Sequence, residues 1–322
     1  MLGKKLGIDL GSGTTRVITR GEGLLFAEPT VVAGRDGNSA AGLVGSAAVD
    51  AASVDRTLRL RRPLRGGDIT DRASLDLLIQ HTVNRAVGRQ RIFKPDIVLA
   101  VRGGMSGPDR LAVLDAAVRS GARTVYLIDC AIAAAMGAGI PIASPHAHLI
   151  ADLGAGKTDV ACLAREGTVA SRSLPVGADD LLARLGMQVA FRHGVDLDSA
   201  ELAGAMHLLV AAPHEERTAE VGGVLLSSHE LAEIVADHLR PLVDAVAEVL
   251  DETPPTLRGD LREHGIVLTG GGAQLEGLAR HMTASTGLPA RVVTEPDGCT
   301  VRGTAMAVDN LDVLRRSFLY MR

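Results

Sequence analysis

Residues 6–17, with the sequence LGIDLGSGTTRV, constrain the fold of this chain more than any other stretch. An apolar run that carries Asp9 breaks into Gly11-Ser12-Gly13-Thr14-Thr15 and resumes at Val17, which predicts a strand, a tight turn and a second strand. Glycine lets the backbone amides of such a turn face an anion, and the hydroxyl groups add donors. A carboxylate just before the turn suits a hydrated Mg²⁺ beside a phosphate. Taken alone, however, the stretch favours an ordinary hairpin turn.

The same pattern returns at residues 147–163, AHLIADLGAGKTDVACL, where an apolar run with Asp152 leads into a glycine turn and a second apolar run. This recurrence decides against an ordinary turn and favours a duplicated architecture in which two hairpins face one ligand. A third glycine stretch, residues 266–275, follows another short apolar run and precedes a predicted helix at residues 275–286.

Residues 154–158 also end like a Walker A loop, whose pattern is Gly-x-x-x-x-Gly-Lys-Ser/Thr. The position of the first glycine is occupied by Ala151. A Walker A loop must also open a helix, whereas residues 159–164 form a short apolar run that is typical of a strand. The sequence therefore argues against a Walker A loop.

Five segments in the right order resemble the actin-like ATPase superfamily, and they are most similar to the bacterial actin homologues MreB and Mbl. The segments correspond to two phosphate loops, an adenosine loop and two connecting segments: residues 9–15, 152–159, 270–273, 129–139 and 299–307. The resemblance covers nearly the whole chain. It implies an α/β, actin-like fold with two duplicated α/β domains around a nucleotide cleft, each with a smaller subdomain.

The resemblance also implies the domain boundaries. Domain I takes residues 1–140 plus 303–322, with a small subdomain IB at about 33–65. Domain II takes residues 141–302, with a trimmed subdomain IIB at about 181–234. The length of 322 residues and the alternation of helices with strands independently favour two domains of the α/β class.

An ATP and Mg²⁺ site follows from the resemblance, with Asp9 and Asp152 holding Mg²⁺ through water. The implied nucleotide-binding residues are Gly11, Ser12, Gly13, Thr14, Thr15, Gly154, Ala155, Gly156, Lys157, Thr158, Glu201, Gly270, Gly271, Gly272 and Ala273. Lys157 departs from the family pattern, and it either contacts phosphate or is a solvated surface lysine. Glu201 matches the acid of the family's ribose–adenine clasp, but Gly204 supplies no lysine to complete it.

Hydrolysis needs a strong acceptor that orients the attacking water. In the family this group is a glutamate in the first connecting segment, and here Cys130 stands at that position. A neutral thiol is a weak acceptor, so weak ATPase activity is expected while nucleotide binding is unaffected. Asp129 and Thr158 remain the candidate catalytic residues, although Asp129, as the neighbour of Cys130 on a strand, would point to the opposite face.

Residues 88–94, GRQRIFK, place Ile92 and Phe93 among basic side chains. A loop of this kind can insert into a membrane interface and bind anionic lipid, and folding back into the core is the alternative. The resemblance favours insertion. It also implies a cytoplasmic location at the inner face of the cell membrane, self-association into filaments, and partners among cell-wall synthesis or morphogenesis proteins.

Composition excludes several other classes of protein. The formal net charge of −4 gives no case for nucleic-acid binding. Cys130, Cys162 and Cys299 match no metal-binding or disulfide pattern, which fits a reducing cytoplasm. No signal peptide is evident, and the longest apolar stretch, residues 131–143, is too short to span a bilayer.

The predicted function is an ATP-binding cytoskeletal filament protein of the bacterial actin type that guides cell shape or cell-wall synthesis. A nucleotide-binding scaffold with little hydrolysis is the alternative. A sugar kinase of the same superfamily is a third reading, although the chain has no added segment that would build a substrate domain. Helices are predicted at residues 74–87, 108–120, 181–193, 199–210, 228–251 and 310–322, and residues 34–45 are predicted to be rich in turns.

Overall fold

The computed structural model describes residues 3–19, 21–35, 38–88, 93–164, 167–209, 217–309 and 320–321. The strands in chain order are β1 (Lys5–Leu10), β2 (Thr14–Thr19), β3 (Gly23–Pro29), β4 (Val32–Arg35), β5 (Asn38–Val44), β6 (Arg59–Arg61), β7 (Leu64–Arg65), β8 (Asp68–Ile69), β9 (Asp96–Val101), β10 (Thr124–Asp129), β11 (His148–Leu153), β12 (Thr158–Ala164), β13 (Gly167–Leu174), β14 (Thr218–Val221), β15 (Val224–Ser227), β16 (Ile266–Thr269), β17 (Ala290–Val292) and β18 (Tyr320–Met321). The helices are α1 (Ser46–Val54), α2 (Arg72–Val87), α3 (Gly107–Arg119), α4 (Cys130–Gly137), α5 (Ala178–His193), α6 (Ser199–Leu209), α7 (Ser228–Glu252), α8 (Pro255–His264), α9 (Leu278–Thr286) and α10 (Cys299–Asp309), with short 3₁₀ turns at Gly271–Gln274 and Pro296–Gly298.

The chain divides into two units, of which the first comprises Met1–Ile142 with Gly298–Arg322 and the second Ala143–Asp297. The first unit contains a six-stranded sheet in the order β18-β10-β9-β1-β2-β3. Strands β1, β2 and β3 form an antiparallel meander, while β9 pairs parallel to both β1 and β10. Every residue of β9 is buried, because apolar side chains cover both faces of the sheet, from α2 and α3 on one side and from α4 and α10 on the other.

The second unit repeats this arrangement in a five-stranded sheet of order β13-β12-β11-β16-β17. Strands β11, β12 and β13 form the antiparallel meander, and β16 and β17 continue the sheet in parallel. The duplicated architecture predicted from the sequence is therefore confirmed. We call β1–β2 with Asp9 and β11–β12 with Asp152 the two acid–glycine hairpins, because each places an aspartate two residues before the first glycine of a turn.

Helix α7 shows how local sequence signals produce these elements. It begins where the Ser227 side chain accepts a hydrogen bond from the backbone amide of Glu230, as expected for an N-cap serine. Its buried side chains recur at helical spacing, and they join the core of the second unit: Leu231, Ile234, Val235, Leu239, Leu242, Val246 and Val249.

None of the helices among the described residues has the length and apolar character that a membrane span needs.

The five helices predicted between residues 74 and 251 correspond to α2, α3, α5, α6 and α7. The helix predicted at residues 310–322 is wrong at its end, because Tyr320–Met321 form strand β18, which pairs antiparallel with β10. Residues 310–319 lie outside the described residues. The exposed edge of β10 offers backbone groups that a short strand satisfies.

Two further differences concern local signals. Residues 34–45, predicted to be rich in turns, instead contribute strands β4 and β5, which pair antiparallel. Helix α8 was not predicted, because Pro254 and Pro255 indicate the end of α7. Proline is equally favoured in the first turn of a helix, where its missing amide has no partner to lose, and Pro255 begins α8 for this reason.

Helices α4 and α10 of the first unit pack backbone against backbone at two glycines. A Cβ on Gly303 would collide with the Ala133 carbonyl, and a Cβ on Gly137 would collide with the Cys299 carbonyl. Glycine at these points lets the two helices approach more closely than any side chain permits.

We therefore expect Gly303→Ala to lower the free energy of unfolding by roughly 1–3 kcal/mol, the usual cost of overpacking. The matched control is Gly259→Ala in α8, where a Cβ meets no atom within 4 Å among the described residues. There alanine should raise the free energy of unfolding by roughly 0.5–1 kcal/mol. Urea denaturation of both variants measures the difference, and equal effects would contradict the packing described.

Candidate functional site

The acid of the first acid–glycine hairpin faces a basic residue. The strand register pairs Asp9 with Arg16, and Arg16 Nη1 lies 3.9 Å from Asp9 Oδ2. The Asp9 carboxylate is buried, and its oxygens can accept hydrogen bonds or bind a cation. The positive charge of Arg16 partly balances the carboxylate within its own hairpin.

Neighbouring segments hold the first turn in place. Ser12 is buried, and its Oγ accepts a hydrogen bond of 3.2 Å from the Gly67 amide. The hydroxyl groups of Thr15 and Thr30 lie 2.9 Å apart in a buried hydrogen bond. Arg62, one of five arginines between residues 56 and 65, places Nη1 3.5 Å from the Ser12 carbonyl oxygen. The predicted binding residues of this turn are thus positioned by contacts from outside it.

The second turn is joined to the start of helix α5. The Gly154 amide donates to the Lys157 carbonyl at 2.8 Å and closes the turn. The first amides of α5, from Ala178 and Asp179, donate to the carbonyls of Gly154 and Ala155 at 3.1 and 2.8 Å. The carbonyl groups of the turn are therefore satisfied by the helix.

Lys157 is not a solvated surface lysine. It is 7% exposed, and its ammonium is ion-paired with the buried carboxylate of Asp159. That alternative for Lys157 is wrong, because the side chain turns back over β12 rather than out to water. The other loop acid, Asp152, accepts a hydrogen bond of 3.0 Å from the Thr269 hydroxyl.

The third glycine stretch closes against the second hairpin. Gly270 has a φ of +83°, and a Cβ there would collide with the backbone of Leu153. Its amide donates to the Pro296 carbonyl at 2.8 Å. Only glycine combines this backbone conformation with so close an approach, so the geometry requires glycine at position 270.

A cavity of about 200 Å³ in the second unit brings several predicted residues together. Its walls include Thr158 from the second hairpin and Gly271 and Gly272 from the third glycine stretch. Apolar side chains such as Leu181 of α5 line most of the remainder. A small, largely apolar cavity with a few polar groups is typical of a site for part of a small ligand.

His238 of α7 also lines this cavity, and sequence reasoning missed it. Its Nε2 donates to the Gly177 carbonyl at 3.2 Å, and burial lowers the pKa of the imidazole. Burial therefore favours the neutral form of the ring. The only signal was a histidine at helical spacing from Leu231 and Leu242 on the apolar face of α7, a position more often filled by core residues.

Glu201 does not belong to this cavity. Its carboxylate accepts from the Asp198 amide at 2.9 Å, and the Asp198 carboxylate accepts from the Glu201 amide at 2.9 Å. This reciprocal pair is a capping box at the start of α6. Within the described residues of α6, Ala203 lines the cavity instead.

The side chains of the two candidate catalytic residues already have hydrogen-bond partners within the protein. Asp129 Oδ1 accepts from Arg110 Nη2 at 2.7 Å, and Thr158 Oγ1 donates to the Val176 carbonyl at 2.8 Å. Asp129 and Cys130 are not neighbours along a strand, because β10 ends at Asp129 and Cys130 begins α4. Cys130 is 3% exposed and packs in an apolar cluster that includes Val98.

Two repeated sheet–helix units, each with an acid–glycine hairpin at the same place in its sheet, define an actin-like protein, and solved structures of that class share the fold. A comparison with family models identifies one family within this class. The family model for MreB/Mbl protein matches residues 3–316, so the chain belongs to the MreB/Mbl family.

Relatives support this assignment over nearly the full length. The cell shape-determining protein MreB of Escherichia coli K12 is 30% identical over 338 residues, which cover 97% of this chain and 95% of the relative. The crystal structure of MreB5 of Spiroplasma citri bound to ADP is 25% identical, with a TM-score of 0.88 over 98% of this chain and 99% of its own. The MamK double helical filament shares the fold at 21% identity, with a TM-score of 0.78 over 95% of this chain and 99% of its own.

Proposed function

We propose that this chain is an ATP-binding cytoskeletal filament protein that acts on cell shape at the membrane. The observation that carries the proposal is the repeated acid–glycine hairpin, because each unit sets a buried aspartate at the same position before a glycine turn, and such turns bind anions through their backbone amides. The names of the relatives support it, since E. coli MreB is described as determining cell shape and MreB5 was solved with ADP.

In this proposal the turn amides and hydroxyls bind phosphate oxygens, which glycine turns do well. The binding residues are those of the two turns and of the third glycine stretch, and the cavity beside Gly271 and Gly272 accepts the flat aromatic ring of adenine. Glu201 is the weakest member, because its carboxylate already caps α6.

The residues present fit Mg²⁺ in part. Asp9 and Asp152 offer the oxygen ligands that Mg²⁺ prefers. Within the described residues, however, no three His, Cys, Asp or Glu side chains form a group that could hold a metal. Mg²⁺ would neutralise phosphate charge here, with most of its ligands coming from phosphate and water.

The first prediction of this proposal concerns the two loop acids. Asp9→Ala and Asp152→Ala should each leave a folded protein whose affinity for Mg-ATP falls on the order of 10-fold or more, because each removes a charged ligand worth a charge-assisted hydrogen bond. Calorimetric titration measures the affinity, and Asp50→Asn, an exposed acid of the first unit, is the control. Unchanged affinity in both alanine variants would refute the nucleotide site.

Hydrolysis is proposed to be slow. The water-orienting glutamate of the family is replaced by Cys130, whose thiol is buried in the apolar cluster. The Asp129 carboxylate is paired with Arg110, and the Thr158 hydroxyl is bonded to the backbone. These contacts support a nucleotide-binding scaffold with little turnover as the finer form of the proposal.

Single-turnover phosphate release should therefore be slow, on the order of 10²-fold below a relative that retains the glutamate. Asp129→Ala should change this rate by less than about 2-fold if Asp129 only anchors Arg110. Turnover at the rate of relatives, abolished by Asp129→Ala, would show that Asp129 takes the catalytic role.

Self-association and membrane contact complete the proposal. The fold is shared with a protein solved as a double helical filament, which supports filament formation by this chain. Phe93 is 50% exposed and precedes the exposed Lys94, while Ile92 lies outside the described residues. An exposed aromatic ring beside a cation suits the interface of an anionic membrane at the inner face of the cell. Cell-wall synthesis or morphogenesis proteins are the partners that this location implies.

Flotation with liposomes that contain anionic lipid tests the membrane contact. The double variant Ile92→Ser/Phe93→Ser should float less than the parent, because it loses the apolar area that inserts. Met187→Ser/Phe191→Ser is the matched control, since it removes one aliphatic and one exposed aromatic side chain from α5. Equal flotation of parent and first variant would exclude insertion at Phe93.

A further inference from the structure

A row of polar side chains crosses the sheet of the second unit beside the second turn. The strand registers pair Thr269 with Asp152, Asp152 with Asp159, and Asp159 with Ser173. Residues paired in this way on neighbouring strands project from the same face of a sheet. Two carboxylates therefore stand side by side on a buried face, where Asp152 is 6% and Asp159 3% exposed.

This arrangement requires a positive charge. Like charges directly opposite each other destabilise a strand pair, and a buried carboxylate needs a counter-charge. The Thr269 hydroxyl satisfies one oxygen of Asp152, but it carries no charge. The ammonium of Lys157 supplies the charge, and it comes from the turn itself.

The ion-pair partner of Asp159 is Lys157. Among the described residues, Asp159 Oδ1 and Ser173 Oγ are buried without a hydrogen-bond partner, so the Lys157 ammonium is the one group there that satisfies the Asp159 carboxylate. This ion pair holds the ammonium of a turn lysine that is only 7% exposed. The positive charge is thus fixed at the start of β12, directly after the turn.

The first hairpin has a comparable arrangement of its own. Arg16 stands opposite Asp9 in the register, with Nη1 3.9 Å from Oδ2. Each loop acid therefore shares its hairpin with a basic side chain. In both hairpins a basic side chain of the protein, Arg16 or Lys157, therefore balances part of the negative charge.

We propose that Lys157 is a built-in cation of the second phosphate-binding turn, and that it makes the binding of nucleoside di- and triphosphates largely independent of a divalent metal. The inference rests on the nucleotide binding proposed above. Mg²⁺ in phosphate sites is held by one or two carboxylates together with phosphates and water, and its task is to balance negative charge. The ammonium performs part of this task at the turn, and a chelator cannot remove it.

Calorimetric titration with ADP and with ATP, each in excess Mg²⁺ and in excess EDTA, tests the inference. The informative variant is Lys157→Met/Asp159→Asn, which removes both charges of the buried ion pair and keeps the net charge. The control is Lys4→Met/Glu22→Gln, which removes an exposed ion pair of 3.2 Å in the first unit.

In EDTA the wild-type protein and the control should bind with an affinity within about 10-fold of their values in Mg²⁺. The double variant should lose on the order of 10- to 100-fold more affinity than the wild type when Mg²⁺ is removed, the value of one charged hydrogen bond. An equal loss in the wild type and the double variant would overturn the inference while leaving nucleotide binding intact.

Absence of binding by the wild type even with Mg²⁺ would instead refute the proposed function, and the inference with it. Circular dichroism shows whether the double variant is folded. If it is not, Asp159→Asn alone decides the matter, because it keeps the ammonium and removes its carboxylate partner. This variant should bind in EDTA at least as tightly as the wild type, and weaker binding would overturn the inference.

Discussion

The antiparallel pairing inside each acid–glycine hairpin is the constraint on which the rest of the site depends. Because side chains alternate along a strand, a register slip of one residue would turn every side chain to the other face of the sheet. The pairing of Asp9 with Arg16 and of Asp152 with Asp159 is therefore enforced by whole strands, not by the turns. The apolar cores on both faces of the sheets hold that register, and charge placement at the turns follows from it.

Much of the fold could be predicted because its signals are local. The alternation of apolar runs with glycine turns located both hairpins, and the helix predicted at residues 228–251 corresponds to α7. The parts that were wrong depend on distant partners. Strand β18 forms because it can pair with the open edge of β10. The sequence of residues 310–322 does not indicate that this edge is available. Pro255 carries a signal that fits both the end of one helix and the start of the next.

The candidate site was predictable in its glycines and acids, but not in the state of its other side chains. Lys157 reads equally as a phosphate ligand or a surface residue, because its ion pair depends on the path of β12. Cys130 reads as a substituted catalytic position, yet its burial depends on packing between α4 and its neighbours. His238 gives almost no signal, since the cavity that it lines is built from five separate segments of the second unit.

The contact between the second turn and helix α5 also has a mechanical meaning. The backbone of Gly154 and Ala155 is hydrogen-bonded directly to the first amides of the helix, so no flexible loop separates them. A helix of 16 residues is a stiff rod about 24 Å long. A shift of the turn would therefore move the start of α5 and, because the helix is stiff, the exposed Phe191 ring near its other end. Helix α5 thus connects the backbone of the second turn to the surface of the second unit.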